Sequence, residues 1–270
     1  MRDMTKGAPL GHLFLYAVPL LLGNWLQLAY NAVDSIIAGQ FIGQDALAAE
    51  GVAGPVMNLV ILAISGLCIG AGVLMSEAFG AGETARLKET LATTLLFGAL
   101  LCCGAAAAGC LLTPWILRAT AVPSSIFEIT GVYLRITFLG APFTFFYNAL
   151  AAGLKSVGDS KTPLYFLILT SALNIGLDLL FVIPFKFGVF GAALATDISQ
   201  VISGVLSFIY LCRKFDVLKM QKDDLVFSKK ACVRLMGIGV PMGLQCSITA
   251  IGSVIMQWAV NMLGSTAVAA

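Results

Sequence analysis

Residues 10–38 read LGHLFLYAVPLLLGNWLQLAYNAVDSIIA. At about 1.5 Å per residue this run is long enough to cross a hydrocarbon layer of about 30 Å as a helix. It follows Arg2 and Lys6, as the apolar segment of a secretory leader would, but such a segment is only about 7–15 residues long. It also carries Pro19, Asn24, Gln27 and Asp34. It is therefore expected to be a retained first membrane helix with polar groups placed deliberately along it.

Six more stretches of the same kind follow, at 47–79, 90–112, 127–152, 163–185, 189–211 and 231–262. No ten-residue alternation of apolar and polar residues appears, and irregular backbone cannot face lipid, so helices are expected rather than a barrel. Composition agrees: 59% of the residues are hydrophobic and only 11% charged, where a soluble domain has about one charge in four residues. Water-soluble globules and disordered chains are excluded. A net charge of +2 and a single histidine, His12, offer neither a nucleic-acid surface nor a histidine metal cluster. The seven cysteines form no CxxC pair and lie almost wholly in apolar runs, where cysteine packs as a small hydrophobe. The fold class is all-α, a polytopic transmembrane helix bundle. With no nucleophile–base pair in view, no enzyme is expected.

Lysine and arginine fix the expected orientation. Thirteen of the sixteen lie before the first span or in every second connection, among them Arg86, Lys88, Lys155, Lys161 and the run from Arg213 to Arg234, whereas Arg118 and Lys186 alone occupy the other side. Positive loops stay on the cytoplasmic side, so the N-terminus is expected in the cytoplasm of a cell with this chain in its plasma membrane.

The seventh span repeats the first. Val18-Pro19-Leu20-Leu21-Leu22 aligns with Val240-Pro241-Met242-Gly243-Leu244, and after a one-residue gap residues 43–49 (GQDALAA) align with 264–270 (GSTAVAA). Six helices between equivalent points give both copies one orientation, the parallel plan of two six-helix halves. The expected organisation is a first six-helix lobe over 1–212, a cytoplasmic linker over 213–230, and the first helix of a truncated second lobe over 231–270. About five more helices would complete it.

Ionisable groups within spans are costly and so read as functional. Asp34, Asp178, Asp197 and Arg135 qualify. Counted from the expected span ends, Asp34 lies roughly 6–8 Å, Asp178 roughly 10 Å and Asp197 roughly 12 Å inside the outer ends of their helices. Helical periodicity puts Gln27, Tyr30, Asn31 and Asp34 on one stripe and Asn174 one turn from Asp178. Carboxylate and amide oxygens suit a hard monovalent cation, and a carboxyl shielded from water suits a proton. Helix-to-helix hydrogen bonding is the alternative use of the same groups. The second copy has Met256, or Ile255 across the gap, where the first has Asp34, so the shared fold does not require that acid. Arg135 lies at a depth compatible with an ion pair to Asp197. Glu50, Glu77 and Glu128 are expected at span ends. Gly66 and Gly70 read as a close-packing pair, and Pro19 as a kink below Asp34.

These residues resemble the multidrug and toxic compound extrusion (MATE) transporters, within the superfamily that includes lipid-linked oligosaccharide flippases. The resemblance is carried by 18–43 (VPLLLGNWLQLAYNAVDSIIAGQFIG), 80–82 (GAG), 140–142 (GAP), 153–163 (GLKSVGDSKTP), 172–178 (ALNIGLD) and 188–196 (GVFGAALAT). It implies one lobe of a twelve-helix antiporter exporting cationic or amphiphilic small molecules against Na⁺ or H⁺, with no cofactor. It implies a cation site at Asp34, Asn174, Asp178 and Thr196, substrate contacts at Gln27, Tyr30 and Asn148, and a bending proline at Pro19. Asp197, beside Thr196, departs from the family's pattern. Two other readings stay open here: a lipid-precursor flippase, and a non-transporting half-transporter that self-associates in the bilayer.

Overall fold

The computed structural model describes residues 9–220 and 224–262. Among the described residues seven α-helices follow one another: α1 Pro9–Ile37, α2 Gln44–Gly80, α3 Thr84–Ala119, α4 Phe127–Ser156, α5 Lys161–Val182, α6 Gly188–Lys214 and α7 Lys229–Asn261. A π-helical turn, Ala38–Ile42, extends α1. Six of the described helices, α2 to α7, are long and apolar enough to cross a membrane. All seven expected spans are therefore helical, with ends moved by a few residues. The ends move most in α3, which continues through polar first turns and past Pro114.

Helix α2 is the centre of the bundle, touching α3, α4 and α7, while α4 also meets α6 and α5 lies between α1 and α6. The core sits where α2, α3, α4 and α6 meet, around Met75, Leu87, Leu91, Phe145, Leu150, Leu154 and Leu211. A second cluster, Ala53, Met57, Leu117, Leu134 and Phe138, fills the other end of α2, α3 and α4. Outward-facing Trp25, Leu100 and Leu111 are mostly exposed, as lipid-facing side chains must be. Polar hydroxyls within the bundle are quenched locally. Thr90, Thr94, Thr113 and Thr130 each donate to the carbonyl one turn earlier, at 2.7–2.8 Å, and Thr170 bonds Ser203 across α5 and α6.

The connection between α6 and α7 is shorter than the expected 213–230, because α6 runs to Lys214 and α7 starts at Lys229. It is tied to the bundle: Lys88 Nζ meets Asp224 Oδ2 at 3.0 Å, the Ser228 N–H donates to Thr93 Oγ1, and Leu218 is fully buried. Helix α7 then lies along α2. A Cβ on Gly66 would collide with the backbone of Gly243, and one on Gly70 would come within 2.7 Å of the Gly239 nitrogen. Two small-xxx-small pairs thus face each other and let the two backbones touch. At the far end Asn261 Nδ2 donates to the Thr120 carbonyl at 2.7 Å. The repeat's second segment, 264–270, lies outside the described residues.

Candidate cation and substrate site

Asp34 falls three residues before the end of α1, and Asp178 four before the end of α5. That is about 5 and 6 Å of helix. Asp178 is shallower than expected because α5 stops at Val182. Since α1 packs on α5, the two carboxyl groups face each other within hydrogen-bonding reach. Asn174, one turn before Asp178, is 1% exposed and donates from Nδ2 to Thr196 Oγ1 at 3.0 Å. Thr196 in turn donates to the Ala192 carbonyl. Four of the predicted residues, from α1, α5 and α6, therefore meet at one place.

The oxygens there are under-used. Asp178 is wholly buried with neither carboxyl oxygen accepting a hydrogen bond, and Asp34 Oδ1 and Asn174 Oδ1 are buried without a donor as well. Buried polar atoms in folded proteins are nearly always paired, so four orphan oxygens in one spot mark a place for a cation or a shared proton. Two carboxyls this close cannot both stay ionised without a positive charge between them.

Of the residues expected to touch substrate, Tyr30 is half-buried beside the acids, in electrostatic reach of Asp34, Asp178 and Glu50. Gln27 lies exposed on α1, away from the helix core. Asn148 is not with them: it bonds the Thr144 carbonyl and lines a cavity of about 420 Å³ bounded by Tyr16, Cys68 and Lys155, toward the other end of α1, α2 and α4. Pro19 is buried inside α1, which continues through it, leaving the Leu15 carbonyl without its usual partner.

One expectation is refined and one corrected. Glu50, six residues into α2, lies near a span end as expected but is not simply solvated there. It is half-buried, its Oε1 accepts from Ser35 Oγ at 3.2 Å, its Oε2 is buried without a partner, and it feels Asp34 electrostatically. Helical spacing puts Glu50 on the face of Ala46, Ala53 and Met57, but only the packing of α2 shows that this face is buried. Arg135 does not pair with Asp197. The Asp197 carboxylate sits in the notch left by Gly140, where a Cβ would strike it. Gly140 is five residues from Arg135, about 140° around α4. Among the described residues no three His, Cys, Asp or Glu converge closely enough to chelate a metal, so Glu50 does not complete a metal site with the two aspartates.

A bundle of bilayer-length helices with orphan acids buried between them has the make-up of a membrane transporter. A model of the MatE family matches residues 19–180. The chain is 34% identical over 263 residues to the probable multidrug resistance protein YoeA of Bacillus subtilis, covering 95% of this chain and 57% of that one. Among solved structures it resembles the inward-facing conformation of a multidrug resistance MATE family transporter of the MOP superfamily, with a TM-score of 0.82 and 25% identity over 89% of this chain and 55% of the other. A MATE structure in a bent conformation is matched at a TM-score of 0.80 and 26% identity, over 88% of this chain and 53% of that one. The chain belongs to the MatE family of multi-pass membrane transporters. It spans somewhat more than half the length of the curated relatives it matches.

Proposed function

We propose that this chain carries the ion-coupling half of a secondary antiporter that exports cationic or amphiphilic drugs and toxic compounds in exchange for Na⁺ or H⁺. The observation that carries the reading is the group of four orphan oxygens on Asp34, Asn174 and Asp178. In this reading Asp34, Asn174, Asp178 and Thr196 bind the coupling cation, and Tyr30 and Gln27 meet the substrate. Asn148 meets it separately, in the cavity beside Lys155. Binding the cation removes one unit of negative charge from the Asp34–Asp178 pair, which relieves the repulsion between the two acids and lets α1 shift against α5, with the break in the backbone ladder at Pro19 as the hinge. The bent conformation described for a MATE relative supports this use of the proline. The N-terminus is cytoplasmic, a reading that the lysine and arginine distribution supports, and the membrane is the plasma membrane. Acids rather than a basic cleft lie at the meeting of α1 and α5, which favours an exported cation over a lipid pyrophosphate.

Export itself is assigned to a protein with both lobes, the length of the matched relatives. The test is efflux of a fluorescent lipophilic cation from vesicles. The 270-residue chain, the chain extended by a second lobe, and the extended chain with Asp34→Asn are compared under an imposed Na⁺ or H⁺ gradient. Gradient-driven efflux in the extended chain and its loss in Asp34→Asn are expected. Full coupled efflux in Asp34→Asn would overturn the coupling role.

A further inference from the structure

Arg135 takes no part in the site just described, and its place in the fold is unusual. It lies eight residues into α4, about 12 Å along the helix axis from Phe127. Helix α4, with 30 residues, is about 45 Å long, so it overhangs a 30 Å hydrocarbon layer by about 7 Å at each end. The Arg135 backbone is thus about 5 Å below the hydrocarbon boundary. A guanidinium there is costly unless it has an anion or reaches the interface. Among the described residues it forms no ion pair with a carboxylate. Instead it lines a cavity of about 570 Å³ between α3, α4 and the turn leading into α6, walled by Thr113, Phe127, Phe187 and Phe190, with Glu128 also in its lining. Val132, Phe187 and Phe190 are each more than 40% exposed, so the cavity opens sideways toward the bilayer.

We infer that this cavity is a binding site for an anionic phospholipid of the leaflet opposite the N-terminus, with Arg135 holding the headgroup phosphate and the phenylalanines receiving the acyl chains. Charge and shape both favour this occupant. The planar fork of arginine binds phosphate oxygens in pairs, the depth matches a headgroup drawn slightly inward, and the aromatic walls open where lipid tails already are. A water-soluble anion would gain nothing from three phenylalanine rings, and a zwitterionic lipid would bring a second charge with no carboxylate but Glu128 to receive it.

The 270-residue chain purified in mild detergent provides the test, with native mass spectrometry counting retained lipid after titration with dioleoyl phosphatidylglycerol, dioleoyl phosphatidylcholine or inorganic phosphate. Arg135→Gln is expected to weaken phosphatidylglycerol retention about tenfold, the loss of one charge-assisted contact. The parent should retain phosphatidylglycerol in preference to phosphatidylcholine and lose that preference in Arg135→Gln, and Glu128→Gln should not weaken phosphatidylglycerol. Arg135→Met, which keeps the volume, replaces Arg135→Gln if that variant does not fold. Parental phosphatidylglycerol binding in the variant would overturn the assignment. So would Arg135-dependent binding of inorganic phosphate alone, which would make this a free-anion site.

Discussion

Asp178 is held without a single hydrogen-bond donor, and that isolation has a thermodynamic signature. A buried charged group left unpartnered costs about 1–3 kcal/mol or more. Asp178→Asn is therefore expected to stabilise the sodium-free protein by about 1–3 kcal/mol. It should also abolish any added stability that sodium gives the parent, since a ligand stabilises only the state that binds it. Thermal unfolding in detergent with and without Na⁺ would show both effects; an unchanged sodium response would remove Asp178 from the ligand set. At this scale the sequence was informative where spacing alone decides. The four-residue interval between Asn174 and Asp178 and the stripe from Gln27 to Asp34 lead directly to the residues found together. It was misleading where the decision rests on what lies opposite. Glu50 was hidden among alanines whose burial depends on the packing of α2, and the pairing of Asp197 depends on which side of α4 Gly140 leaves open.

Among the elements, the contact between α2 and α7 invites the sharpest test. Gly66 faces the backbone of Gly243, so a methyl group has nowhere to go unless the helices separate. Gly66→Ala is expected to destabilise the protein by about 1–3 kcal/mol through overpacking. A methyl on Gly243 would press on the Ala63 carbonyl at 3.1 Å, at the neighbouring turn of the same helix pair, so helices already parted by Gly66→Ala should accept it more readily and the double variant should cost less than the sum of the two. Denaturation in detergent measures this, and strictly additive losses would show that the two glycines are not partners. Helix existence was legible throughout, because runs of twenty or more apolar residues have no other solution in lipid. Helix ends were not. Their polar terminal turns are stabilised by water and headgroups, which composition does not reveal, and the extra π turn after Ile37 leaves no periodic trace in so short a segment.

For the whole molecule, the distribution of lysine and arginine makes a claim about sidedness that labelling can check. In a chain whose seven native cysteines are replaced by alanine, Ser124→Cys, in the turn before α4, should react with an impermeant maleimide from outside intact cells. Gly82→Cys, in the turn between α2 and α3, should react only after permeabilisation. The reverse pattern would invert the orientation. The same sidedness gives the shallow position of Asp34 and Asp178 an electrical meaning. Helix α5, with 22 residues, is about 33 Å long and so ends close to the boundary of a 30 Å insulating layer; in the proposed mechanism a cation arriving from that face travels about 6 Å, roughly a fifth of the layer, before meeting Asp178. With a full crossing worth about 2.3 kcal/mol per charge at 100 mV, entry draws on only about 0.5 kcal/mol of the membrane voltage. The remaining four-fifths of the field is left for the inward journey, so voltage should govern release far more than capture.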